Sequence, residues 1–183
     1  MPFIAEFYGL NICSMMQIIN STPEDIDVIF SLYEAGTQLQ KKIAQKHWEG
    51  FDQALVETDI REKRLWKIME DDRIACIFSL TFQDPFIWKE KDQDPAIYIH
   101  RIATHPDFRG NGYVKHIVQW ARDYAVSIGK NYIRMDTGSG NDKLNNYYVS
   151  CGFNYLGVVA PLASDELPAH YKGGTSSLFE IVL

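Results

Sequence analysis

The chain of 183 residues, 46% hydrophobic and 23% charged, can bury one sizeable core and has the composition of an ordinary globular domain. Its net charge of −6 argues against a general nucleic-acid binder, which would carry a basic face, and is compatible with a cationic small substrate. No run approaches the ~18 apolar residues of a membrane span and no basic leader precedes an apolar stretch. Three scattered cysteines (Cys13, Cys76, Cys151) make neither a disulfide framework nor a zinc site, so a reducing cytoplasm is expected.

Residues 1–15 are apolar without periodicity and are set apart as an N-terminal extension; an extra strand and a start assigned too early, with Met15-Met16 the more natural beginning, fit them equally. The remaining 16–183 read as one domain. A short strand over 16–20 is followed by Ser21-Thr22-Pro23-Glu24-Asp25, a helix start with a capping hydroxyl, proline in the first turn and acids at the positive end. The helix carries Ile26, Ile29, Phe30 and Tyr33 on one face and runs toward Ile43. Trp48, Phe51, Leu55 and Ile60 predict a second helix ending near Arg61. Residues 65–70 and 74–82 read as a hairpin about Asp71-Asp72-Arg73. The polar stretch 83–95, with two prolines, is expected to be a loop.

Residues 97–118 hold the chain's chemistry. Ile97 and Ile99 favour a strand, Pro106 ends it, and Gly110 and Gly112 allow positive φ or a close approach of the backbone to a ligand. Val114, Ile117, Val118 and Ala121 then recur with helical spacing to Gly129, a C-cap. A helix opening directly after a glycine loop presents unpaired N–H groups and a partial positive charge, which suits phosphate, and Arg109 and Lys115 reinforce that sign. Further on come a strand over 132–137, a break at Gly138-Ser139-Gly140-Asn141, a helix over 142–151, strands over 153–159 and 178–182, and a Pro/Gly/Ser-rich stretch over 160–177 between them. The whole is one mixed α/β unit.

Neither common nucleotide loop fits. Lys115 stands where the third glycine of G-x-G-x-x-G belongs, although Asp136 does end the next strand, and G-x-x-x-x-G-K-[ST] is absent. His105-Pro106-Asp107-Phe108-Arg109-Gly110-Asn111-Gly112 instead resembles the acetyl-CoA signature R/Q-x-x-G-x-G/A of the GCN5-related N-acetyltransferases, with Val114 at the last Gly/Ala. Asn141-x-x-Leu144-x-x-x-Tyr148-x-x-x-Gly152-Phe153 resembles that family's second signature, with Leu144 for the usual Ala. Both lie in order, in a strand–helix–strand–helix setting, and the resemblance covers nearly all of 16–183.

The resemblance implies a single-domain fold with a mixed, mostly antiparallel sheet flanked by helices, and acetyl-CoA as co-substrate without a metal. It implies that the amides of Gly110, Asn111, Gly112, Tyr113 and Val114, with Arg109, hold the pyrophosphate. The pantetheine arm would lie along Ile102, Ala103 and Thr104, with an N–H near Thr104 at the thioester carbonyl, where it would stabilise an oxyanion. Asn141 would touch the pantetheine or adenosine side. Tyr148 would protonate the leaving thiolate, a phenol of reference pKa about 10 being protonated at neutral pH; Tyr147 replaces it only in another register. His100, with an unperturbed pKa near 6.5, is the candidate base. Glu49, Asp84, Asp165 and Glu166 could line an acceptor cleft and are not ranked by the sequence.

Plainer readings stand beside these. His100 reads equally well as a hydrogen-bonded sheet histidine, Trp48 and Phe51 as core, Lys41-Lys42 and 89–91 as solvated faces, and Cys151 as packing. His105 and His116 have no metal-ligand spacing. The implied activity is direct acetyl transfer to a primary amine of a small molecule. A non-catalytic acyl-CoA sensor and a protein or peptide acetyltransferase are the alternatives; Tyr148 argues against the first, and the long stretches 83–95 and 160–177, which suggest a covered cleft, against the second. Relatives of this kind often dimerise, so a homodimer is compatible with the sequence, with no nucleic-acid or membrane partner expected.

Overall fold

A computed structural model describes residues 16–43, 47–163 and 173–183. The N-terminal extension with Cys13, and the acids Asp165 and Glu166, lie outside the described residues. Seven strands form one mixed sheet: β1 Gln17–Asn20, β2 Leu65–Glu70, β3 Arg73–Thr81, β4 Ala96–Thr104, β5 Tyr132–Gly138, β6 Asn154–Val159 and β7 Ser176–Val182. Their order is β1-β2-β3-β4-β5-β7-β6, antiparallel except for the β4–β5 pair. The helices are α1 Ile26–Ile43, α2 Gln53–Arg61, α3 Pro85–Trp88, α4 Tyr113–Ser127 and α5 Asp142–Ser150. This is the mixed α/β unit expected from the sequence.

Alternation along the central strands sorts the core onto two faces of the sheet. Ile97 and Ile99 of β4, with Ile133 and Met135 of β5, pack against the buried stripe Tyr113, Val114, Ile117, Val118, Ala121 and Ala125 of α4. Ala96 and Tyr98 join Ile87 and Trp88 of α3 in a second cluster. Ile29, Leu32 and Tyr33 of α1 and Val56 and Ile60 of α2 cover Leu65, Ile77 and Ala103 in a third. Each fully buried aliphatic or aromatic side chain contributes roughly 1.5–3 kcal/mol. Trp48 and Phe51 pack edge-on or tilted around Tyr33 as part of this last cluster, which favours the core reading of that pair.

The stretch 83–95 departs from the loop expected of it. It contains α3 and a 3-10 turn, Lys89–Gln93. Pro85 sits in the first helical position, where its missing N–H costs nothing. Arg134 of β5 fastens the segment from beneath: buried, it donates from Nε to Glu180 Oε2 at 2.8 Å, from Nη2 to Asp94 Oδ2 at 2.5 Å and from Nη1 to the Lys91 carbonyl at 2.5 Å. The Trp88 and Tyr132 rings lie 4.8 and 4.7 Å from its guanidinium carbon. Because one buried cation organises these residues, no apolar periodicity announces them.

Two features of β4 prepare the site. It runs beside β5 only from Ala96↔Tyr132 to Ile99↔Met135, then continues against β3 to Thr104 while β5 continues against β7 to Gly138. Beyond Ile99 the two strands part and leave a wedge. In addition, Ile77 faces Ala103 but Ser79 faces His100, so Arg101 and Ile102 together oppose Phe78. This is a β-bulge, with Arg101 in the left-handed region at φ 51°. Such a conformation costs a residue with a Cβ of order 1 kcal/mol or more. The Arg101 side chain holds it there, donating from Nε to Ser79 Oγ at 3.0 Å and from Nη2 to the buried Asp59 carboxylate of α2.

Candidate active site

After β4 the chain makes a 3-10 turn, Pro106–Phe108, and reaches α4 through Gly110 (φ 92°) and Gly112 (φ 73°). These two positions require glycine or strain, and a Cβ on either would meet nothing within 4 Å. The concave side of the loop is therefore open. Gly112 is the N-cap of α4 and offers no side chain to its first-turn amides, so donors aligned with the helix dipole are left for a ligand. Val114 is turned into the core, so its bulk does not obstruct that approach. Tyr113 is also buried and its hydroxyl bonds the Glu70 carboxylate, leaving its main chain as the ligand-facing part. Arg109 donates from Nη2 to the Ala35 carbonyl at 3.0 Å, stapling the loop to α1 while its other N–H groups stay available. The exposed Asn111 sends its amide to Tyr113 Oη at 3.5 Å. An uncapped helix start beside two left-handed glycines fits a pyrophosphate.

The pairing pattern shows where the main chain beside the wedge points. His105 N–H donates to the Ala75 carbonyl at 2.8 Å, and 105↔75 continues the register of 104↔76 and 103↔77. Alternation then directs the N–H and C=O of Ala103 toward β3, and those of Thr104, with the carbonyl of Ile102, toward the wedge. Of the three residues assigned to the pantetheine arm, Thr104 and the carbonyl of Ile102 thus present backbone groups to the gap, whereas Ala103 is spent on the Ile77 pairing. Thr104 Oγ1 donates to Cys76 Sγ at 3.4 Å. Burial raises that thiol's pKa to about 12, so Cys76 is no thiolate nucleophile at neutral pH.

Tyr148, on α5, packs on the α4 side of the sheet. Its ring packs against Phe179 and Phe153 with centroids 5.3 and 6.4 Å away. Burial, aided by Tyr147, Cys151, Asp136 and Cys76, drives its phenol pKa well above the ordinary value, so it holds its proton throughout the neutral range. The Asp136 carboxylate at the end of β5 adds to that effect. Tyr147 is more exposed, at 37%.

His100 lies on the other face, at the first residue beyond the last β4–β5 pair, where the strands part. Its Nε2 is 3.2 Å from Thr81 Oγ1 and 4.0 Å from Asp84 Oδ2; its Nδ1 is 3.9 Å from Asp136 Oδ1. An imidazole is thus flanked by two carboxylates, and the three groups put their ligand atoms within 4.8 Å of one another. That donor set could receive a protonated amine. Burial and the Arg101 charge push His100 down to about 3, far from the near-neutral titration expected of it, so the ring is neutral at pH 7. Burial, then the Asp136 and Asp92 charges, push Asp84 up to about 7. The sequence named Asp84 without ranking it and noted Asp136 only as a strand end. Their meeting depends on the β4–β5 register and on α3. Glu49, by contrast, is exposed.

Asn141 caps α5: its Oδ1 accepts from Leu144 N–H at 3.0 Å. Asn141→Ala is expected to cost about 1 kcal/mol of stability through the lost cap, read as a lower denaturation midpoint. A change in acetyl-CoA affinity beyond threefold would add a ligand contact to the cap.

A profile of the acetyltransferase (GNAT) family matches residues 30–153. The chain belongs to the GNAT family. This acetyltransferase is 23% identical over 145 residues to the uncharacterized N-acetyltransferase YesJ of Bacillus subtilis strain 168, covering 75% of this chain and 81% of that one. A GNAT-family acetyltransferase from Listeria monocytogenes 4b F2365 shares its fold with a TM-score of 0.72 and 20% identity, covering 92% of this chain and 95% of the other. So does YncA of Salmonella typhimurium, a putative acetyltransferase with its cofactor acetyl-CoA, with a TM-score of 0.66 and 14% identity over 93% of this chain and 95% of the other. As a GNAT acetyltransferase the chain uses acetyl-CoA as donor. No helix among the described residues is long and apolar enough to cross a membrane.

Proposed function

We propose that this acetyltransferase moves an acetyl group directly onto the primary amine of a small molecule, with Tyr148 as acid and His100 in the path of the amine's proton. The observation that supports this reading is a phenol held protonated on one face of the sheet and a neutral imidazole on the other, Asp136 acting on the phenol and standing beside the imidazole. Acetyl-CoA, when bound, supplies an activated acyl carbon. The amides of 110–114 and Arg109 hold the pyrophosphate, and the main chain of Ile102 and Thr104 orients the arm. His100, neutral and half-enclosed, can accept a proton from an ammonium drawn in by the carboxylates. Tyr148 gives its proton to the departing thiolate. Direct transfer is favoured over an acyl-enzyme because Cys76, beside Thr104, is a buried thiol held protonated.

A reducing cytoplasm agrees with the two buried free thiols of Cys76 and Cys151. A homodimer is supported by edge strand β6, which exposes Tyr155, Leu156 and Val158. A thiol-release assay across polyamines, aminoglycosides, amino acids, arylalkylamines and peptides tests the activity. Turnover with a small amine is expected. Release with peptides alone would overturn the small-molecule reading, and no release with any amine alongside intact acetyl-CoA binding would leave a sensor.

A further inference from the structure

We infer that Asp84 is the proton terminus of the reaction: the proton shed by the acceptor ammonium passes through the His100 imidazole to the Asp84 carboxylate. This rests on the N-acetyltransferase reading above and deepens it, because a terminal carboxylate with a second one, Asp136, across the ring selects an acceptor that arrives as a cation.

The geometry supplies the path. Asp84 is the N-cap position of α3; no side-chain cap hydrogen bond forms there, although the nearby Ile87 N–H favours the ionised carboxylate and partly opposes the rise in its pKa. The side chain lies over β4, with Oδ2 buried, without a hydrogen-bond partner among the described residues, and 4.0 Å from His100 Nε2. Asp92 of the 3-10 turn fixes the backbone beneath it, accepting from Asp84 N–H at 2.6 Å. His100 Nδ1, on the opposite edge of the ring, looks to Asp136 at 3.9 Å. Both separations exceed a hydrogen bond and can be closed by a small shift or by one bridging polar atom. An imidazole so placed can take a proton on one nitrogen and release one from the other.

The charged and polar groups facing the pair set the direction of travel. Asp136 from β5 and Asp92 from the 3-10 turn both hold a proton on Asp84, Arg101 from the β4 bulge disfavours a proton on His100, and Thr81 from β3 is neutral. Tyr98, linked to Asp92 and Arg134, adds no charge at neutral pH. The proton therefore comes to rest on Asp84, not on the ring. The balance closes: the ammonium carries three protons and the amide product one, and of the two shed, one matches the proton Tyr148 gives to the thiol and one resides on Asp84 before passing to solvent.

The test uses the full-length protein, Asp84→Asn and Asp84→Glu, and any acceptor found by thiol release. In the wild type, kcat/KM should rise with pH through an inflection near 7. In the free protein, the His100 ring nitrogen shifts should step near pH 7 as the neighbouring carboxylate ionises, while the ring stays neutral. Asp84→Asn should lose both the step and the inflection and fall roughly tenfold to a hundredfold in turnover above pH 7, with acetyl-CoA affinity kept; Asp84→Glu should restore the inflection. Melting adds a third reading. The folded carboxyl binds its proton more tightly than the unfolded one, so ionisation costs wild-type stability as pH rises from about 4 to 7. Asp84→Asn should hence melt higher than wild type above pH 7, the gain closing as pH falls toward 4. A wild-type His100 without the step, or an Asp84→Asn enzyme that keeps the inflection, overturns the inference. A wild-type chain that binds acetyl-CoA but acetylates no amine overturns the N-acetyltransferase reading instead, and is told apart by failing before any variant is made.

Discussion

Tyr148→Phe is expected to lower kcat by a factor of about 10²–10⁴ while leaving the dissociation constant for acetyl-CoA within twofold of wild type. The substitution removes one hydroxyl and keeps the ring, so the contacts with Phe153 and Phe179 survive and α5 stays in place. What is lost is a proton held firmly by burial and delivered where the thiolate departs. A thiolate leaves more readily than an alkoxide, so solvent can replace part of this function, which sets the lower end of the range. Single-turnover thiol release reads the chemical step: its rate should fall in the variant, while donor binding measured by calorimetry should not change. Equal turnover in wild type and Tyr148→Phe would remove the phenol from the chemistry.

Gly112→Asp should separate folding from donor binding. Gly112 is the N-cap of α4, where aspartate is among the preferred residues, and its would-be Cβ points into open space. Its φ of 73° is a conformation aspartate tolerates better than most residues. Helix stability is therefore expected to change by less than about 1 kcal/mol, cap gain offsetting backbone strain. Donor affinity should collapse, because the new carboxylate sits where a pyrophosphate needs bare amides. Repulsion worth about 3 kcal/mol at a partly screened site corresponds to roughly a hundredfold weaker acetyl-CoA binding. The effect should shrink as salt is raised. Near-native affinity in a folded Gly112→Asp protein would show that the phosphates lie elsewhere.

The parts that sequence made legible are those in which local backbone chemistry and function coincide. Gly110 and Gly112 are readable because two glycines before a helix point to positive φ or a close backbone approach, and both adopt positive φ; the bounds of α4 follow from the Val114–Ala121 stripe and Gly129. Tyr148 is readable because Asn141 and Gly152-Phe153 frame it. The rest depends on long-range pairing. Arg101 gives no local sign that it will adopt a left-handed bulge, since Asp59, 42 residues away, holds it there. Residues 85–93 look like loop because a buried Arg134, not an apolar stripe, gathers them. His100, Asp84 and Asp136 are separated in the chain and meet through the parallel register and the α3 turn. Their environment also changes the chemistry: a histidine expected to titrate near neutrality is made neutral, and the carboxylate beside it takes over the titration.

The most direct measurement is an amide-resolved NMR titration of the free protein with coenzyme A. If nucleotide phosphates dock on bare main chain at the start of α4 and the thiol arm enters where β4 leaves β5, the largest shifts fall on Gly110 to Val114 and on Ile102 and Thr104, saturating in the micromolar range. Saturable binding that leaves those amides still, and moves residues elsewhere, would contradict it.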